Sequence, residues 1–390
     1  MTTLRENNAK KIEKVLKTSP EQVEMRESFK RRFGYEMDNA EKFPFEDINL
    51  KKMKEAVGAK FSEADASTAF VQLLRAGVQT IVNNMYNTVP TSFESWTTVV
   101  QSKKKEELYA PLQGIGFPRE IAAQGKYPET GTAGLDIKLT NRKYGSMYSV
   151  EMELNEDDQT GQIQTQAKLL GEYMKQVLEV LCMGKLASVN NMEYAGFQVP
   201  KTETQPSDEA TYPWSTTLVG GGANRPAAYG ALTQANIQNA FIGLRKQKNI
   251  RGLKMAVDPR TLLISPTYEF DAAILANSSF YPSATGALGG GSVGQMNAIN
   301  PIQGKFNTVT SYFMFKNDGT VDGDSKAWYL MDSSKPWFVA QIREATTVIA
   351  ENPQSGASFD QDIIRFKARM RGNADFIDSR FAWQGNNGSV

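Results

Sequence analysis

The sequence contains no histidine and a single cysteine. Histidine is the usual general base near neutral pH, the usual activator of serine and cysteine nucleophiles, and the commonest transition-metal ligand. Its absence excludes histidine-dependent triads and histidine-bearing zinc centres. Cys182 has no partner within the chain, so a disulfide-stapled secreted scaffold is excluded and a reducing compartment fits. No apolar run approaches the length of a membrane span. The segment Met1–Lys17 mixes Arg5, Lys10, Lys11, Lys14 and Lys17 with isolated apolar residues and lacks the apolar core of a signal peptide. An excess of one charge is missing too: 44 lysines and arginines face 43 acidic residues. The whole-molecule field is therefore weak, and any contact with nucleic acid must be local. No repeat of solenoid or propeller period and no long low-complexity tract is present. What remains is a globular chain of 390 residues, 40% hydrophobic, long enough for a sizeable core.

Residues 1–60 are charged and only intermittently apolar, and read as short helices and an extended arm. From Ala64 to Val89, apolar positions including Phe70, Leu74, Val78, Ile81 and Val82 recur at three- and four-residue steps, which predicts a packed helix. Trp96–Val100 is aromatic and β-branched, and therefore extended. Leu135, Ile137 and Leu139 then alternate with Asp136, Lys138 and Thr140. Tyr148, Val150, Met152 and Leu154 alternate with Ser149, Glu151 and Glu153. With Asn141–Gly145 as a loop between them, this segment predicts a two-stranded antiparallel hairpin.

Asn155, Glu156, Asp157 and Asp158 supply a cap and acidic residues for the positive end of a following helix. Its seam, Ile163, Ala167, Leu170, Met174, Val177 and Leu181, continues to about Val189 and predicts a helix on the order of 50 Å long. Cys182 beside the seam reads as a small buried residue. Residues 200–232 form an irregular connection. An α/β section follows: a helix capped by Thr233 and carrying Ile237, Ala240, Phe241 and Leu244, strands at Leu253–Val257 and Thr261–Ile264, and a helix opened by Ser265-Pro266. The last third is β again, at Ala327–Met331, Pro336–Glu351 and Asp362–Phe376.

Candidate chemistry is sparse. Gly220–Gly222 and Gly286–Gly294 lack both the lysine of a phosphate-binding loop and the strand-to-helix setting of a dinucleotide site. Glu151, Glu153, Glu156, Asp157 and Asp158 have a structural explanation at a helix start. Asp318, Asp322 and Asp324 lack the glutamate that completes a calcium loop and read as a turn. No catalytic residue, cofactor or metal is predicted. The last strand carries the functional signal: Arg365, Lys367, Arg369 and Arg371 alternate with Ile364, Phe366, Ala368 and Met370, one face basic and the other apolar. Such a row either faces a polyanion or is paired with acidic residues on a neighbouring strand or subunit.

The order of elements resembles the HK97-type major capsid protein of tailed bacteriophages. The resemblance rests on Tyr148–Asp157 leading into the long helix, on Lys254–Pro259 followed by Leu262–Ile264, on Asn300–Gly304 before a strand, on Ala327–Met331, and on the arginine-rich strand Asp362–Phe376. It spans about residues 90–385. It implies an α+β fold with an N-terminal arm and helices (1–111), an extended hairpin or E-loop (112–154), a spine helix and connection in a peripheral domain (155–232), an axial α/β domain (233–326), and C-terminal strands mainly of the peripheral β-sheet (327–390).

The function implied is that of a structural subunit, not an enzyme. Copies would assemble as hexamers and pentamers into an icosahedral shell enclosing double-stranded DNA, in the cytoplasm of a bacterial host. A scaffolding protein, a portal and a decoration protein are the implied partners, DNA contact is weak and non-specific, and no membrane is involved. Lys126, Lys138, Arg142 and Lys143 are the expected hairpin contacts, and none matches a cross-linking motif. Arg365, Lys367, Arg369 and Arg371 form the expected inter-subunit or lumenal face. Two other readings stay open: an encapsulin-like protein nanocompartment, and more remotely a soluble carboxylate-dependent hydrolase.

Overall fold

The computed structural model describes residues 77–78, 80–110, 117, 120–121, 126–127, 137–151, 162–187, 193–200, 213–218, 221–249, 251–281, 298–315, 325–351 and 363–386. The arm expected over residues 1–60, the acidic helix start at Asn155–Asp158, Gly286–Gly294 and the Asp318–Asp324 turn lie outside them. So does most of the expected hairpin tip.

In chain order, a helical turn Phe93–Trp96 precedes β1 (Thr98–Gln101), β2 (Glu106–Tyr109), β3 (Ile137–Thr140) and β4 (Arg142–Glu151). The long helix α1 (Gln162–Ala187) follows, then the short β5 (Glu193–Tyr194) and β6 (Phe197–Gln198), and α2 (Gln234–Arg245). Next come β7 (Thr261–Ile264), α3 (Glu269–Asn277), β8 (Phe280–Tyr281), β9 (Ala298–Ile299) and β10 (Asn307–Thr310). The chain closes with β11 (Trp328–Met331), β12 (Phe338–Ala350), β13 (Ile363–Phe376) and β14 (Ala382–Asn386). It divides into two compact units, one holding residues 143–175 and 344–371, the other 91–142, 176–343 and 372–390.

In the first unit β4 is the neighbour of β13, and β13 of β12. The alternation in β4 explains the pairing, because its apolar side meets the apolar side of β13: Tyr148 stacks on Phe366 at 5.3 Å, and Val150, Phe366, Ala368 and Met370 are buried. Gly145 belongs to this sheet rather than to a loop. A Cβ there would come within 2.6 Å of the Ala368 carbonyl oxygen, so only glycine admits the approach. Residues 80–88 are helical with Val78 and Val82 fully buried, as the periodicity of that segment predicts.

In the second unit a four-stranded sheet has the order β10-β7-β11-β14, with β7 parallel to β10 and antiparallel to β11. Every residue of β7 and β11 is buried, which requires cover on both faces and explains their continuous apolar runs. Thr233 caps α2 through its side chain, which accepts from the Asn236 N–H. Ser265-Pro266 opens a 3₁₀ turn that leads into α3. The strand expected at Leu253–Val257 does not form; an isolated bridge joins Lys248 and Lys254, and the Asp258 N–H turns instead to the Asp332 carboxylate, 3.1 Å away.

Aromatic rings fill the rest of this core. Trp96, Trp337, Phe338 and Phe376 lie with centroids 5.0–5.9 Å apart, and Trp214 reaches both Phe376 and Tyr329. The last turns of α1, from Leu178 to Ala187, are buried on all sides, including Glu179, Cys182 and Lys185. A helix without a wet face must pair its polar residues internally. The Lys185 ammonium duly sits 2.9 Å from the Asp375 carboxylate, both removed from solvent.

The hairpin expected between Leu135–Thr140 and Tyr148–Leu154 is corrected by the pairing. β3 pairs antiparallel with β2, in register Glu106↔Thr140 through Tyr109↔Ile137. A single residue, Asn141, separates β3 from β4, too few for the two-residue minimum of a hairpin turn. Arg142–Gly145, expected as loop, are strand. The hairpin arms are thus 106–109 and 137–140, and the chain passes through Asn141 into a different sheet.

Candidate assembly surfaces

The basic row on β13 is placed as the alternation predicts, yet it is not a bare polycation. Arg369 donates to Glu344 at 2.8 Å, Arg371 lies 3.5 Å from the other oxygen of Glu344, and Arg365 lies 4.0 Å from Glu351. Lys367 is exposed. The glutamates come from β12 and its end, one strand over, so opposite charges on adjacent strands face each other. These pairs are part-exposed, and each contributes on the order of 0.5 kcal/mol after solvent screening. Two carboxylates thus face four cations, which lowers the repulsion along the row without removing it. Gly221 and Gly222, from the other glycine stretch weighed for a ligand, serve the backbone. Gly222 has φ +116°, its carbonyl accepts from Leu218 N–H at 2.9 Å, and Gly221 N–H returns to the Leu218 carbonyl at 2.8 Å.

The expected hairpin contacts divide. Lys138 is taken up within the hairpin, 2.6 Å from Glu106 across the β2–β3 pair, and this hydrogen bond holds the Glu106 carboxyl below its ordinary range. Lys126, Arg142 and Lys143 are exposed. Beside the hairpin, periodicity gives no warning of a compact turn between β1 and β2. Ser102 Oγ donates to the Glu107 carboxylate at 3.0 Å, and the N–H groups of Lys103 and Lys104 point at the same oxygen from 3.4 and 3.2 Å. The Lys104 N–H is the main cause of a Glu107 carboxyl held below the usual carboxylate range. The signal for this turn is present in the sequence as Lys103-Lys104-Lys105-Glu106-Glu107.

Large apolar side chains remain on the surface of the second unit. Phe270 and Ile274, four residues apart on α3, are 80% and 52% exposed. Phe280 and Ile299 stand opposite each other in the β8–β9 pair and are also exposed. Leu108 on β2, Phe117 and Tyr127 are exposed at the hairpin. Among the described residues no group of histidine, cysteine, aspartate or glutamate could hold a metal ion. The geometry of the described residues offers apolar and charged surfaces for docking rather than a reaction centre.

The chain is similar to solved structures from Mycobacterium phage Bobi (15% identity over 76% of this chain and 90% of that one, TM-score 0.44) and Microbacterium phage Oxtober96 (13%, 76% and 91%, 0.44). It is likewise similar to a virus-like particle from Pyrococcus furiosus (8%, 79% and 97%, 0.43). No curated protein matches it. A family described as phage capsid protein matches residues 136–384, well over half of the sequence. The chain therefore belongs to the phage capsid protein family: it has the HK97-type α+β fold and is a structural protein of the virion shell, not an enzyme.

Proposed function

We propose that copies of this chain assemble as pentamers and hexamers into an icosahedral shell that encloses double-stranded DNA. The observation that carries the reading is the apolar surface of the 261–312 section, where Phe270, Ile274, Phe280 and Ile299 are left in water by the isolated subunit. Large apolar side chains exposed in adjacent pairs mark an interaction surface, and a neighbouring subunit at a five- or six-fold position would cover them. The hairpin supports the same reading: two four-residue strands do not stand alone in water, and exposed Leu108 offers them a surface to dock by. A scaffolding protein, a portal and a decoration protein are the further partners such a shell implies, with assembly in the host cytoplasm.

Replacing Phe270 and Ile299 with aspartate tests it. The variant is expected to keep the far-UV and near-UV spectra of the folded subunit while losing the fast-sedimenting particle. Particles of normal size from that variant would remove this surface from assembly.

A further inference from the structure

The three arginines of the β13 row each lie within ion-pair reach of one of two glutamates, so DNA contact inside a shell is better served by cations without such partners. The turn between β1 and β2 supplies them. Lys103, Lys104 and Lys105 are all exposed; among the described residues none lies within ion-pair distance of a carboxylate, and the Glu106 and Glu107 charges act on Lys105 and Lys104 from further away. The nearby acids are already engaged: Glu106 with Lys138, Glu107 with the N–H groups and hydroxyl of the turn itself.

The backbone under these lysines is fixed from several sides. Ser102 N–H donates to the Ile342 carbonyl at 2.9 Å, which ties the turn to β12. Asn141 N–H donates to the Lys105 carbonyl at 2.8 Å, and its side-chain amide donates to the Lys104 carbonyl at 2.8 Å and to Ser102 Oγ at 3.0 Å. Asn141 is followed directly by the exposed Arg142, so a fourth cation is held next to the lysine turn.

We infer that Lys103, Lys104, Lys105 and Arg142 form a contact for the phosphate backbone of the enclosed double-stranded DNA. Two features favour DNA over an acidic protein surface. Lysine is depleted at protein–protein interfaces, whereas protein–DNA interfaces are strongly cationic. Lysine also meets phosphate as a point charge without the paired geometry that arginine brings to carboxylates. Contact through phosphates alone carries no base sequence information.

The inference rests on the shell-around-DNA reading, and its test is separable from that reading. Full-length protein kept unassembled is titrated against a short fluorescent duplex of arbitrary sequence at several salt concentrations, and shell formation is followed separately by sedimentation. The variant Lys103→Gln/Lys104→Gln/Lys105→Gln is compared with Lys246→Gln/Lys254→Gln/Lys305→Gln, which removes the same charge from exposed lysines elsewhere. For the turn variant the slope of log affinity against log salt should flatten by about 2.7, the change expected when three phosphates are no longer neutralised. The control should keep the wild-type slope, and both variants should form shells. Equal losses in the two variants, or no duplex binding by wild type, overturn the assignment. So does unchanged duplex binding in a turn variant that no longer forms shells, which would make the turn a dock for a neighbouring subunit. Failure of wild type to form shells would count against the proposed function and leave the duplex comparison readable.

Discussion

A carboxylate on a helix that is buried all round needs donors from other segments, and Glu179 finds four: the N–H and hydroxyl of Ser92, the N–H of Phe93 and the hydroxyl of Ser311. Its partners lie 87 and 132 residues away in sequence, so no local pattern announces them. Glu179→Ala orphans several buried donors at about 1–3 kcal/mol each, and the thermal midpoint should fall by several degrees; Ser311→Ala should cost only about 1 kcal/mol. Similar midpoints for the two variants would show that the carboxylate is not the anchor. The Lys185–Asp375 pair makes a second case. Asp375→Ala leaves a buried ammonium and should cost about 3–5 kcal/mol, while Lys185→Met/Asp375→Leu should recover part of that loss in a denaturant titration and fall short of wild type, because the buried Phe376 N–H loses the Asp375 oxygen it donates to. Cys182 follows from the same burial. Burial, reinforced by the nearby Glu179 charge, pushes its thiol well above the ordinary range, so a thiol reagent should modify it only after unfolding. At the lysine turn the sign runs the other way. Because the Glu107 carboxyl is held low, its hold on the Lys103 and Lys104 N–H groups is complete above the ordinary glutamate range and is lost as pH falls through the lowered value. The amide shifts of those two residues should follow a single titration there, and an Asn141→Ala variant should weaken the turn without moving that titration far.

Elements are legible in the sequence wherever periodicity is long or burial two-sided. The seam of α1 is found as predicted: Ala167, Leu170, Met174 and Leu181 are buried, with Val177 partly so. The apolar runs of β7 and β11 and the alternation of β13 name their own strands. What periodicity leaves open is the partner, since alternation tells which face of a strand is wet and not which neighbour it joins. That gap produces the misplaced hairpin, where two alternating segments adjacent in sequence belong to two different sheets. It equally hides the pairing of the arginine row, because Glu344 and Glu351 are distant from Arg369 and Arg365 except through the register of β12 and β13. Gly145 tests the corrected arrangement. Gly145→Val forces a side chain onto the Ala368 carbonyl and should destabilise the β4–β13 edge by at least about 1–3 kcal/mol. In a true hairpin loop the same change would be felt far less, and a wild-type unfolding curve would restore the loop assignment.

At the scale of the whole molecule, a nearly neutral chain without histidine has few routes to chemistry and several to assembly. Membership of the phage capsid protein family makes it a shell protein, and the proposed joining of subunits and contact with a polyanion rest on its exposed apolar side chains and its lysine turn. The encapsulin-like reading shares the architecture and differs in what the shell holds. Electron microscopy of particles purified from cells producing this chain with its assembly partners, followed by nuclease treatment and extraction of their contents, is the most direct test. Closed icosahedral shells that release nuclease-protected double-stranded DNA are the predicted result; a chain that stays monomeric at high concentration, or shells that hold only a protein cargo, would contradict it.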